Sequence, residues 1–550
     1  MCRATSGAAS RTALLLVLAA GMGGCSRCGR SASPPPERFL PADSPLTAVV
    51  PRLRAAQQEI ASLSRTVLAF PAAAEHPDAL GSLRARIGFD PLDPKVLEQA
   101  GLDPERGMGA AWSGREPPLL ALPVASERRL EAAAAYLARE KLGAGLREHV
   151  RVGGVSVVTF RARAEAPPAL ALAVAQGTAL LSLGPEGPAR VAAAAALSSA
   201  GSLAASPAFL QARAALGEGH ALFAFLPAGS PALASLPVAP AGAALGLSAT
   251  DSSLTLRAAL LLGARSATWR EVLAGRREAG GDLSHVPPDA FLVLRFGGEP
   301  SALARALPRM PAGAAAALAR AGLDLDRDLL ALLAPGISAS LSLAPTFEVA
   351  PVSRGGALAA ARDPFRLVHL TAALEVKDPQ RAAKALDQLV AAAPRLGLEV
   401  APCTARGLRG WRIARGPAKM GLALEGKRLF VAAGSGRLEA LLSRPDGSRY
   451  AAPSDTARAA LRGDVLGGTL DFGQLVASLR ALPPSAYGSG PDAFVMRSLV
   501  ERIVEPSSHL LAASLRLDTV EGAARIELVI EARREPRQDG RARTAGEEGR

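Results

Sequence analysis

The stretch LEGKRLFVAAGSGRLEALL, residues 424–442, reads as a strand, a glycine turn and a helix, the order in which phosphates are often held. A phosphate site at a helix N-terminus needs converging backbone N–H groups, usually with a Lys or a magnesium ligand close behind. Gly434-Ser435-Gly436 is followed by Arg437, with neither the third glycine of a dinucleotide fingerprint nor the Lys-Ser/Thr of a P-loop. A sibling turn, Gly184-Pro185-Glu186-Gly187, places a carboxylate where an anion would sit. Both turns follow hairpins, whose strands must be antiparallel, so they are read as backbone reversals.

Other residues that could do chemistry are as sparse. Asp324-Leu325-Asp326-Arg327-Asp328 alternates acids as a calcium loop does, yet the following glycine is missing and Pro335 occupies the place of the loop's last Glu. Asp324 is expected to cap a helix, as Asp103 does in the related run AGLDPERG. The histidines, at 76, 149, 220, 285, 369 and 509, form no close pair and no HExxH, and no G-x-S-x-G elbow occurs. Trp112, Trp269 and Trp411 are read as core or sheet-edge packing. No catalytic, cofactor-binding or metal residue is assigned, and no cofactor is implied.

The one residue with an assigned chemistry is Cys25. Arg3 and Arg11 precede an apolar run, ALLLVLAAGMGG at 13–24, which suits a signal-peptide core and is shorter than the roughly 20 residues of a spanning helix. Met22-Gly23-Gly24-Cys25 resembles the lipobox of bacterial lipoproteins, which implies lipidation at Cys25 and a mature chain beginning there; Met22 stands where Leu is more usual. The alternatives are an ordinary secretory signal or an uncleaved anchor. Ser26 implies sorting to the outer membrane over the inner. The reading is residues 1–24 signal peptide and 25–38 tether, with membrane lipid the partner of the acyl anchor. Cys2, Cys28 and Cys403 offer no paired disulfide framework, so stability is expected from burial.

Removing residues 1–24 lowers the formal charge from +13 to +11, almost all of it from dispersed Arg. Basic residues form no patch before the tail, and aromatics at 4% are too few for a base-stacking platform, so nucleic acid is not an expected partner. No second apolar run is long enough to span a bilayer: Gln176-Gly177 breaks residues 167–184 into a hairpin.

At 550 residues the chain is too long for one ordinary core, and it reads as written twice. Gly184 answers Gly434, Asp43 answers Asp289, Ala100 answers Ala321, Ala125 answers Lys377, Gly219 answers Gly463, and LSATDSSLTLRAALLLG from Leu247 answers LRLDTVEGAARIELVIEA from Leu515. Each copy reads as strand, helices, two strands, helix, hairpin, helix, strand, hairpin. The fold class is α+β with internal duplication: two halves, each a mainly antiparallel curved sheet with helices packed on one face. The halves are 39–270 and 286–533, joined by a Gly-rich linker at 271–285; residues 534–550 are read as a disordered tail.

PADSPLTAVVP and PPDAFLVLRF, which open the halves, and GLDLDRDLLALLAPGISASLSL at 322–343 resemble an uncharacterised family of bacterial envelope proteins known only as a domain of unknown function. That resemblance implies the duplicated architecture and carries no catalytic residues. The expected function is a membrane-tethered envelope lipoprotein that binds or scaffolds without catalysis, its halves facing a groove for an envelope protein or peptide. The alternatives are an envelope hydrolase with a nonstandard site in one repeat, and a lipid or lipoprotein carrier, against which a permanent tether argues.

Overall fold

The computed structural model describes residues 33–68, 93–306, 319, 322, 324–343, 368–443 and 450–533. Within those ranges, residues 115, 235, 237–239, 275–282, 406–407, 416–417, 435, 484–486 and 488–490 are excepted. The signal peptide, most of the tether, Cys25, His76, Ser435, most of the linker and the tail therefore lie outside the described residues.

Ten strands precede residue 275: β1 Leu46–Val50, β2 Met108–Trp112, β3 Leu119–Pro123, β4 Leu146–Val152, β5 Val155–Arg161, β6 Leu170–Ala175, β7 Thr178–Leu183, β8 Leu222–Pro227, β9 Gly242–Thr250 and β10 Ser253–Leu261. Ten follow it: β11 Leu292–Phe296, β12 Leu333–Leu343, β13 Val368–Val376, β14 Glu399–Ala405, β15 Leu408–Arg415, β16 Ala418–Glu425, β17 Arg428–Ala433, β18 Leu466–Asp471, β19 Leu510–Val520 and β20 Ala523–Ala532. All twenty form one antiparallel sheet. Following the paired neighbours gives the spatial order β4-β5-β6-β7-β3-β2-β1-β8-β9-β10, then β20-β19-β18-β11-β12-β13-β17-β16-β15-β14. The pairings among the last ten strands thus repeat those among the first ten. The two sets of ten strands join edge to edge through β10 and β20.

Local sequence explains the reversals. Gln176 and Gly177, at φ +49° and +74°, and Glu521 and Gly522, at +50° and +79°, turn left-handed at both central positions, which matches the twist of the hairpins they close. The β4–β5 and β14–β15 hairpins add a pair of strands to each half that the sequence reading did not separate.

Eight helices matter below: α1 Leu53–Leu68, α2 Glu127–Leu142, α3 Gly187–Ala195, α4 Pro207–Leu216, α5 Ala267–Leu273, α6 Pro379–Ala392, α7 Arg437–Leu442 and α8 Asp455–Ala460. Their starts are chemically marked. Ser126 accepts from Arg129 N ahead of α2, and Asp378 accepts from Gln380 N and Arg381 N ahead of α6, whose first residue is Pro379.

The helices flank both faces, which corrects the one-face expectation. On β6, Leu170 and Leu172 pack against Leu130, Ala134 and Ala138 of α2, while Ala171 and Ala173, pointing the other way, pack against Val191, Ala192 and Ala194 of α3. The second half does likewise: Leu422 meets Leu386 of α6 while Ala423 meets Leu438 and Leu441 of α7. Small alternating residues let a strand be covered twice.

In the middle of the sheet the two faces differ in kind. One is buried beneath α4 and α8: Phe209 of α4 makes edge-to-face contacts with Phe223 and Phe225 at 5.3 and 5.6 Å. This buried face also holds Ser338, Ser340, Thr371, Thr469, Ser514 and Arg295. Arg295 Nη1 donates to Leu461 O at 2.9 Å. The opposite face is aliphatic, and apart from Ala243, Ala249, Gly468 and Ala524 it is mostly half-buried or exposed, as along β12, where Ile337, Ala339 and Leu341 are more exposed than Ser338, Ser340 and Ser342.

Candidate functional site

The glycine corner is where phosphate chemistry would have to sit. Gly434 follows β17 at φ +123°, and a Cβ there would lie 2.3 Å from His369 Cδ2, so glycine is demanded by both conformation and space. Gly436, at φ +67°, is the N-cap of α7. Arg437 then turns back against the sheet, its Nη2 3.1 Å from Asp289 Oδ1 and 2.6 Å from Ser342 Oγ. The guanidinium is 12% exposed, so its charge is already met by a carboxylate and a hydroxyl. His369 lies across the strand pair from Ser342. Burial, and next the Arg437 charge, hold its pKa below the usual imidazole value, with Asp289 opposing. The corner is an ion-paired clasp.

Its sibling solves the same problem with other residues. Gly184 turns at φ +84° in open space. Arg190, from α3, donates Nη2 to Ser113 Oγ at 3.2 Å and lies 3.6 Å from Glu116 Oε2. Ser113 lies three residues after Ala110, the partner of Ala48, and Ser342 lies three after Ala339, the partner of Leu294. In both halves an arginine from the helix after the glycine turn holds the serine at one strand end.

The acidic run is occupied by its own turn. Asp324 Oδ1 accepts from Arg327 N, and Asp328 Oδ2 accepts from Asp324 N, both at 2.9 Å. The Arg327 side chain on Asp328, with that backbone donor, holds the Asp328 carboxyl down at about 2. Asp324 thus caps a single wide helical turn, Leu325–Leu329; Asp103 accepts from Glu105 N at 3.1 Å within a turn that no helix follows, which corrects the expected cap there.

The described histidines go to separate places. His149 is exposed on β4 beside Arg147. His285 is buried, its Nε2 2.9 Å from Ser338 Oγ, the nearest approach to a base–nucleophile pair among the described residues. The void beside it measures about 10 Å³, room for roughly one water and no substrate. No group of three or more His, Cys, Asp or Glu able to hold a metal occurs among the described residues. Trp411 is buried with Leu386 and Leu422, as expected of core packing.

One cavity was not foreseen. About 830 Å³ in volume, it opens between α1 and α4 and is lined by Arg52, Glu59, Phe209, Arg213, His220 and Phe223, among others. Glu59 Oε2 is engaged by Ala249 N at 2.8 Å, and Arg213 Nη1 lies 3.3 Å from Glu37 Oε1. Gly246, in mid-strand, makes room for the His220 ring, which would lie 2.7 Å from a Cβ there. Burial, ahead of all other causes, lowers the His220 pKa. A glycine inside the alternating β9 pattern was the available signal. The cavity offers an apolar wall and mixed charges, and no nucleophile–base pair.

No protein-family profile matches the chain, and no curated protein matches it. Two solved structures align with it: crystal form III of TP0453, at 12% identity over 42% of this chain and 82% of that one, TM-score 0.25, and crystal form I, at 12% identity over 42% and 81%, TM-score 0.24. At such scores the alignments carry no argument about fold or function. Among the described residues no helix is long and apolar enough to cross a membrane.

Proposed function

We propose that the protein is a lipid-anchored bacterial envelope protein that binds or scaffolds rather than catalyses, built from one α+β unit at 39–270 duplicated at 286–533. The observation carrying this reading is the repeated pairing order of the two sets of ten strands in one sheet. The seam supports it further. Arg257 and Glu527 face each other there, and each is the fifth residue of its strand, counted from Ser253 and Ala523. A strand meeting its own copy antiparallel sets one residue opposite itself at the axis. Identical chains would place like charges together; here Arg257 Nε lies 2.6 Å from Glu527 Oε1, as a fused and diverged pair can. The enclosure of His285 and Ser338 weighs against a hydrolase.

The membrane address rests on the sequence Met22-Gly23-Gly24-Cys25. Metabolic labelling with palmitate and membrane fractionation test it. The native chain is expected to be labelled and membrane-bound, and to accumulate unprocessed under globomycin. The Cys25→Ser chain is expected to be unlabelled. A native chain that is soluble and unlabelled overturns the anchor.

A further inference from the structure

An antiparallel sheet in water ordinarily buries its apolar face and wets its polar one. The middle of this sheet does the reverse. From β8 across the seam to β12, one face carries only aliphatic side chains and glycine, apart from Phe296 and Thr519. Leu222, Leu245 and Leu294 are exposed on it, and Leu256, Leu515 and Leu528 are half-buried. Among the described residues, Leu273 of α5 roofs one end, where it meets Leu260, Phe296, Leu517 and Ala524, and the helix Phe472–Arg480 lies against β19 and β12. Seven strand spacings of about 4.8 Å carry this face across about 34 Å, and a contiguous apolar surface left open on a sheet marks an interaction site.

We infer that this face binds the acyl chains of phospholipid. The face offers its occupant essentially no hydrogen-bonding side chain, which suits hydrocarbon. A protein surface of ordinary composition brings Tyr, Trp and Arg and needs polar partners. The face is long enough: β10 has nine residues, which at strand rise is about 30 Å, more than the about 15 Å of hydrocarbon in one leaflet. The supply also agrees, and this step rests on the proposed anchor: from Cys25 to Ser33 the chain reaches at most about 28 Å, so a bilayer lies close to the folded part. Each leucine covered by hydrocarbon is worth about 1.5–3 kcal/mol, so a few suffice to hold a lipid.

The test uses the full chain with Cys25→Ser, so that its own acyl groups cannot occupy the face, mixed with phosphatidylcholine vesicles carrying a photoactivatable group in the acyl chain. Adducts are expected on peptides holding Leu256, Leu515 and Leu528, and excess unlabelled phosphatidylcholine should compete them away. Leu528→Gln should reduce labelling about tenfold, the equivalent of 1.4 kcal/mol. Leu294→Gln, at an exposed position where folding is spared, should reduce labelling of its own neighbourhood. Adducts confined to the opposite face, labelling unchanged in both variants, or a face-to-face dimer joining Leu528 to Leu528 of another copy would each overturn the inference. Because the probe binds from solution, a failed anchor and an empty face give different results.

Discussion

Two corners of the molecule, at Gly184 and at Gly434, do the same job with different residues. Each reverses the chain from a sheet strand into a helix whose arginine holds the serine at a neighbouring strand end. At the first corner the glycine stands in open space; at the second His369 crowds it. The difference teaches that what the halves share is backbone course, while side chains at equivalent places are free to diverge. A phosphate-binding loop would show the opposite: its backbone geometry serves the ligand, and its charges remain unspent.

The sharpest way to break this comparison is to put a Cβ at each glycine. Gly434→Ala must both strain a positive φ and displace His369, and is expected to cost about 3 kcal/mol, against about 1 kcal/mol for Gly184→Ala, where only the backbone pays. Urea denaturation of the two variants checks it; equal losses would mean His369 moves freely. The next effect is at the arginines. Arg437→Met leaves Asp289 without its partner and should cost about 2 kcal/mol, less than a fully buried pair because Asp289 is 43% exposed. Arg190→Met should cost about half as much, its nearer acid being 52% exposed.

At the seam, Arg257→Glu alone sets two carboxylates together at the axis. It should destabilise by about 1 kcal/mol, and Arg257→Glu with Glu527→Arg should restore most of that. A double-mutant cycle with no coupling would remove the seam from the account. The smallest effect expected is with pH. His369 has a folded pKa below its unfolded one, so its contribution is fully present above about pH 6.5 and is lost as pH falls through the lowered value. His369→Gln should flatten the mild-acid limb of the stability profile; His220, also lowered, contributes with the same sign and remains as a background.

Much of the local fold was legible because turns and caps are written in residue types. The offset from Gly184 to Gly434 is also the offset that the paired registers give, with Leu181 opposite Leu120 in one half and Val431 opposite Ala372 in the other. The last hairpins were aligned two residues out: Leu247 was matched to Leu515, whereas the registers place Leu245 there. A slip of two leaves every side chain on its own face, so alternation alone cannot detect it. Which face is covered was equally hidden. It depends on contacts such as Thr47 with Phe225 and Arg257 with Glu527, far apart in sequence, and on helices that take the hydroxyl side of the sheet. The cavity beside His220 was missed because its walls, from α1, α4 and β8, meet only in the folded chain.

The central claim is that two copies of one design are fused into a single sheet through β10 and β20. Amide hydrogen exchange on the native chain tests it most directly. The account predicts that the amides of Ser253–Leu261 and Ala523–Ala532 exchange slowly and together, as interior strands do, while those of the true edges, Leu146–Val152 and Glu399–Ala405, exchange much faster. Seam amides that exchange as fast as those edges would mean two separate sheets and would contradict the account.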